Sequence, residues 1–194
     1  MKIPEEKERL RMSASESAEL LSKTADRKAG DILKAAALVI SAVKRGGKVL
    51  ACGNGGSAAD AQHLAGELVG RFFIDRASYP CVALCTDSSV TTSLANDYGF
   101  ESVFERQVEA LGRKGDVLVA ISTSGNSPNV LRAAAAAKRK GMKVIALTGG
   151  KGGKLAPAAD VLLDVDSRVT PRIQETHGFM IHAICEIVEK RLSE

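Results

Sequence analysis

From residue 48 onward the chain carries five short apolar runs: KVLACG (48–53), CVALCT (81–86), VLVAIS (117–122), KVIALTG (143–149) and VLLDV (161–165). Each has the length of a strand and the aliphatic content of one buried on both faces. Helical stretches lie between them, near 57–70, 88–96, 102–112 and 127–140. Strands and helices alternating at this spacing form βαβ units, so the sheet is parallel with helices on both faces. The fold class expected is α/β: a parallel five-stranded sheet flanked by helices.

The flanks are helical as well. Residues from about 5 to 45 read as two helices. The second has Ile32, Ala36, Val39 and Val43 at helical spacing and stops at RGG (45–47), while the first has only a thin stripe of Leu10, Ala14, Ser17 and Leu21. Residues 171–192 form a last helix, with Ile173, Ile181, Ile184, Ile187 and Leu192 among its apolar positions. With 194 residues and no linker, repeat or low-complexity segment, the expectation is one domain over 1–194, with N-terminal helices over 1–45 and an α/β core with its C-terminal helix over 46–194.

Composition narrows the function. Aromatics make up 4% of the chain, too few for a base-stacking platform, so no nucleic-acid partner is expected. The net charge of +4 suits an anionic small molecule, and KRK (138–140) reads as a solvated helix end. Cys52, Cys81, Cys85 and Cys185 form no CxxC pair and read as buried reduced thiols. The N-terminus is polar and no apolar run reaches membrane-spanning length, so a soluble, cytoplasmic protein with no membrane association is expected.

In an open parallel sheet, ligands bind beyond the carboxyl ends of the strands. Two loops there stand out: Cys52-Gly53-Asn54-Gly55-Gly56-Ser57, and Ser122-Thr123-Ser124-Gly125-Asn126-Ser127 followed by Pro128. The second concentrates hydroxyls and backbone N–H groups at a helix N-terminus, where the dipole favours an anion such as phosphate. Ser and Asn also cap ordinary helices, but four hydroxyls with a Gly and an Asn in six residues exceed what a cap needs. Neither loop is a nucleotide fingerprint, because no Gly-Lys-Ser/Thr follows and no acidic ribose partner is evident.

Proton-transfer or metal-binding side chains come next. His63 and Glu67 are i, i+4 on the helix that leaves the first loop; alone, such a pair is a common surface feature. In the last helix Gln174, Gly178 and His182 are spaced by four, although spacing aligns Glu175 with His182 better than Gln174. A mid-helix glycine costs about 1 kcal/mol relative to alanine, so Gly178 marks either room for a ligand or close helix packing. His177 is expected to be exposed.

Together these residues resemble the phosphoheptose isomerases, sugar-isomerase (SIS) proteins of bacterial heptose synthesis. The resemblance rests on CGNGGSAADAQHLAGELVGR, ANDYGF, GDVLVAISTSGNSPNV, GMKVIALTG and RIQETHGFMIH, in order along nearly the whole chain. It implies a SIS domain assembled as a homotetramer, and isomerisation of sedoheptulose 7-phosphate to D-glycero-D-manno-heptose 7-phosphate through an enediol, a first step toward lipopolysaccharide core heptose. It implies sugar contacts at Asn54, Gly55, Gly56, Ser57, Glu67, Asn96, Asp97 and Gln174, and a phosphate cradle of Ser122, Thr123, Ser124 and Ser127. It further implies one zinc ion per subunit on His63, Glu67, Gln174 and His182, with Glu67 and His182 as acid and base. Some members have Asp where this chain has Pro171, so no role of that Asp carries over. Two rival readings are a non-catalytic SIS protein that binds the replication initiator, disfavoured by the presence of both Glu67 and His182, and an arabinose 5-phosphate isomerase, which usually carries a further regulatory domain.

Overall fold

The computed structural model describes residues 3–194; Met1 and Lys2, part of the expected N-terminal helical region, lie outside the described residues. The chain runs α1 (Ile3–Lys44), β1 (Val49–Cys52), α2 (Gly56–Val69), β2 (Cys81–Ala83), α3 (Ser88–Tyr98), α4 (Val103–Leu111), β3 (Val117–Ser122), α5 (Pro128–Arg139), β4 (Lys143–Gly149), β5 (Val161–Val165) and α6 (Thr170–Ser193), with short 3-10 turns at Phe100–Ser102 and Gly153–Ala158.

All five strands are parallel, in the order β2-β1-β3-β4-β5. Every residue of β1 and β3 is buried, as expected of central strands covered on both faces. One face packs Val49, Ala51, Val119 and Ile145 against Ala36 and Val39 of α1, Leu64 and Leu68 of α2, and Met180 and Ile184 of α6. The other packs Leu50, Leu118 and Val144 against Phe104 and Val108 of α4 and the alanines of α5. The chain leaves β1 for β2 on one side and returns to β3 on the other, which opens a crevice at the carboxyl ends of β1 and β3.

Two expectations are corrected. The N-terminal region is one helix of 42 residues, not two. It contains no proline beyond its first turn, and its lone interior glycine, Gly30, is tolerated at modest cost. None of its first twenty-one positions is buried, and Leu10 and Met12 are exposed. It is nevertheless tied to the body: Ser17 Oγ donates to Glu175 Oε2 (2.6 Å), Arg172 bonds the Ser13 carbonyl, and Lys28 Nζ and Arg27 Nη1 reach Asp164 at 2.5 and 2.9 Å. The run at 81–86 is strand only over Cys81–Ala83, because Leu84 and Cys85 turn away.

Candidate active site

Three hydroxyls converge after β3. Ser122 is buried at the strand end, with its Oγ 2.9 Å from Ser127 Oγ and 3.4 Å from Ser124 Oγ. Ser127 holds the N-cap position of α5, yet its side chain makes no cap bond and faces Ser122 instead. That removes simple capping as the reason for this serine. The turn is tight: Gly125 has φ +65°, and a Cβ there would lie 2.1 Å from the Gly152 carbonyl oxygen, so only glycine fits. Thr123 is half-buried and Ser124 exposed, and both line a cleft of about 700 Å³ with Gly150, Lys151, Ser167 and Arg168.

The loop after β1 is fastened to this one by a reciprocal amide pair. Asn54 Nδ2 donates to Asn129 Oδ1 at 2.9 Å, and Asn129 Nδ2 donates to Asn54 Oδ1 at 2.8 Å. Gly55 and Gly56 are exposed at the start of α2, and Ser57 is buried. Gln174 lies against Gly56, where a Cβ would fall 2.2 Å from Gln174 Nε2, so the missing side chain makes room for the amide.

His63, Glu67 and His182 meet two turns further along α2. Their ligand atoms all lie within 4.8 Å of one another. His63 Nε2 is 3.0 Å from Glu67 Oε1 and 3.1 Å from His182 Nε2. One imidazole nitrogen carries at most one hydrogen and cannot donate to both partners. A shared cation would resolve this. Tetrahedral zinc with bonds of about 2.0–2.1 Å sets its ligand atoms roughly 3.3 Å apart, close to both separations. The donor set of two imidazoles and a carboxylate fits such an ion. Gln174, the fourth residue of the expected set, lies beside Gly56 at the start of α2, seven residues before His63.

Asn96 and Asp97 are exposed on α3, and Asn96 Nδ2 donates to Asp97 Oδ1 at 2.8 Å. Among the described residues neither bonds to either loop. A Cβ at Gly178 would meet nothing within 4 Å, so packing inside this chain does not explain that glycine.

His177 is buried, not exposed as expected. Its Nε2 lies 3.1 Å from the Thr148 carbonyl, an acceptor only, so Nε2 carries the hydrogen. Its Nδ1 and the Thr148 hydroxyl are buried without a partner among the described residues. Burial, opposed weakly by the Thr148 bond, pushes its pKa down to about 4. Asp60, one turn before His63, was missed in the sequence, although the i, i+3 spacing could have pointed to it. Burial raises its carboxyl to about 6 against the pull of His63. Cys52, Cys81 and Cys185 are buried free thiols, with Cys81 and Cys185 pushed up to about 12 by burial, whereas Cys85 is only half-buried. The KRK segment is a solvated helix end with ion pairs from Lys138 to Asp160 and from Arg139 to Glu105 and Glu109. No described helix is long and apolar enough to cross a membrane.

The SIS domain family model matches residues 14–149, so this parallel sheet is that of a SIS-domain protein. A phosphoheptose isomerase of Burkholderia pseudomallei is 54% identical over 81% of this chain and 80% of its own length. One from Nitratidesulfovibrio vulgaris is 49% identical over 93% of this chain and 87% of its own. The solved phosphoheptose isomerase of Neisseria gonorrhoeae superposes with a TM-score of 0.90 at 48% identity, covering 95% of this chain and 98% of that one. The chain belongs to the phosphoheptose isomerase family.

Proposed function

We propose that this protein converts sedoheptulose 7-phosphate to D-glycero-D-manno-heptose 7-phosphate, as a single SIS domain in a cytoplasmic homotetramer with one zinc ion per subunit. The names of its relatives support the substrate. The meeting of His63, Glu67 and His182 from two helices is the observation that carries the chemistry. The exposed first half of α1, with Leu10 and Met12 outward, supports assembly with other copies.

In this reading the phosphate rests on Ser122, Thr123, Ser124 and Ser127 at the N-terminus of α5, where hydroxyls and the helix dipole meet negative charge. Asn54, Gly55, Gly56 and Ser57, with Asn96, Asp97 and Gln174, orient the sugar. Glu67 and His182 exchange the proton between C1 and C2, one as base and the other as acid, through a cis-enediol. His63, Glu67, Gln174 and His182 would hold the zinc. When bound, the ion supplies positive charge where the enediolate oxygen develops. The presence of both Glu67 and His182 favours this reading over a non-catalytic partner-binding protein. Incubating zinc-loaded protein with sedoheptulose 7-phosphate and following aldose signals by NMR tests it; no conversion would overturn it.

A further inference from the structure

The segment 70–80, which links α2 to β2, is tied to one carboxylate of α6. Glu189 accepts the N–H groups of Phe72 (2.8 Å), Phe73 (2.6 Å) and Ile74 (3.2 Å), and the Nε–H of Arg76 (3.0 Å). Both charged side chains are nearly dry, 6% exposed for Arg76 and 3% for Glu189. Burial alone would raise the Glu189 carboxyl, but the three N–H groups and Arg76 outweigh it and hold it below the usual range. Arg76 directs its other donors to the last turn of α2. Nη2 reaches the Glu67 carbonyl at 2.8 Å, and Nη1 reaches those of Leu68 and Gly70 at 3.0 Å each. The guanidinium lies 3.9 Å over the Tyr79 ring.

One ion pair thus joins three parts of the molecule at the places that matter to the His63–Glu67–His182 group. It touches the backbone of Glu67. It stands on α6 seven residues after His182, two turns on along the same side of the helix. It fixes the loop that sets the Phe72 ring 5.6 Å from the His182 ring. A buried ion pair is weak as a stabiliser, since apolar replacements often match it. What it offers here is directional hold on two helices that share no covalent link near the site.

We propose that Arg76 and Glu189 are positioning residues, setting α2, α6 and Phe72 so that His63, Glu67 and His182 close on a single cation. This rests on the metal-binding reading above. The test uses full-length protein and zinc alone, with affinity read by competition against a chromophoric chelator. Glu189→Gln keeps the shape and loses the charge, and it should weaken zinc binding about 10- to 100-fold, the usual cost of removing support behind a metal ligand. Turnover at limiting zinc should fall in step with the lost metal. A pair that merely stabilises would lower the melting temperature and leave the zinc affinity of the folded protein unchanged; that result overturns the proposal. If Glu189→Gln fails to fold, Arg76→Lys keeps the charge but withdraws the fork of donors to the Glu67, Leu68 and Gly70 carbonyls, and it is judged by the same criterion. Wild-type protein that binds no zinc would sink the metal reading itself, whereas wild-type binding with unchanged variants refutes only the positioning role.

Discussion

His177→Gln should flatten the acid side of the stability curve. A glutamine amide can keep the donor to the Thr148 carbonyl but cannot titrate. As pH falls through about 6.5 the unfolded chain protonates this histidine. The folded chain, in which burial holds it down to about 4, does not. The unfolded state therefore binds more protons across that window, and stability declines as pH falls. A gap of about 2.5 pH units corresponds to roughly 3 kcal/mol, complete near pH 4. Asp60 acts in the opposite sense: its folded carboxyl, raised by burial to about 6, binds protons before the unfolded one, so acidification stabilises through it. That contribution is common to both proteins and cancels in the difference between them. Urea unfolding at fixed protein concentration, at pH 7 and about pH 4.5, measures it. Wild type should lose about 2–3 kcal/mol more than His177→Gln over this range. Equal losses would refute the buried, neutral assignment.

Three further outcomes follow from the site. Ser122→Ala or Ser124→Ala removes a donor to a charged acceptor worth about 1.5–3 kcal/mol, so sugar-phosphate affinity should fall roughly 10- to 150-fold by calorimetry; unphosphorylated sedoheptulose binding as well as the phosphate would remove the cradle. Gly56→Ala puts a methyl 2.2 Å from the present position of Gln174 Nε2 and should displace that amide, raising KM in a protein of normal melting temperature; unchanged KM would show that Gln174 has no part in binding. Sedimentation should find a tetramer, and an active monomer at working concentration would end that reading.

The order of elements was legible because central parallel strands are continuous apolar runs, and β1, β3, β4 and β5 fell where those runs lie. The continuity of α1 is not legible in its apolar stripe, which is thin over the first half and full over the second. A helix continues unless something stops it, and nothing does before Arg45-Gly46-Gly47. His177 was misjudged as exposed although it lies four residues from both Ile173 and Ile181, on the buried stripe of α6. The hydroxyl cradle and the His63–Glu67 pair are local in sequence and could be read directly. The joining of His182 to His63, 119 residues away, and of Glu189 to Arg76, 113 residues away, depends on how α2 and α6 pack, which no local pattern encodes.

Turnover of sedoheptulose 7-phosphate by zinc-loaded Glu67→Gln, with melting temperature and zinc content measured on the same preparation, tests the central claim most directly. Glutamine keeps the shape and an oxygen for a metal but cannot accept a proton at neutral pH. Glu67 is only partly buried, so the fold should survive. The account predicts a folded protein whose rate is lower by at least ~10² to 10⁴, the usual contribution of general acid–base catalysis. Near-normal turnover in folded Glu67→Gln protein would contradict it.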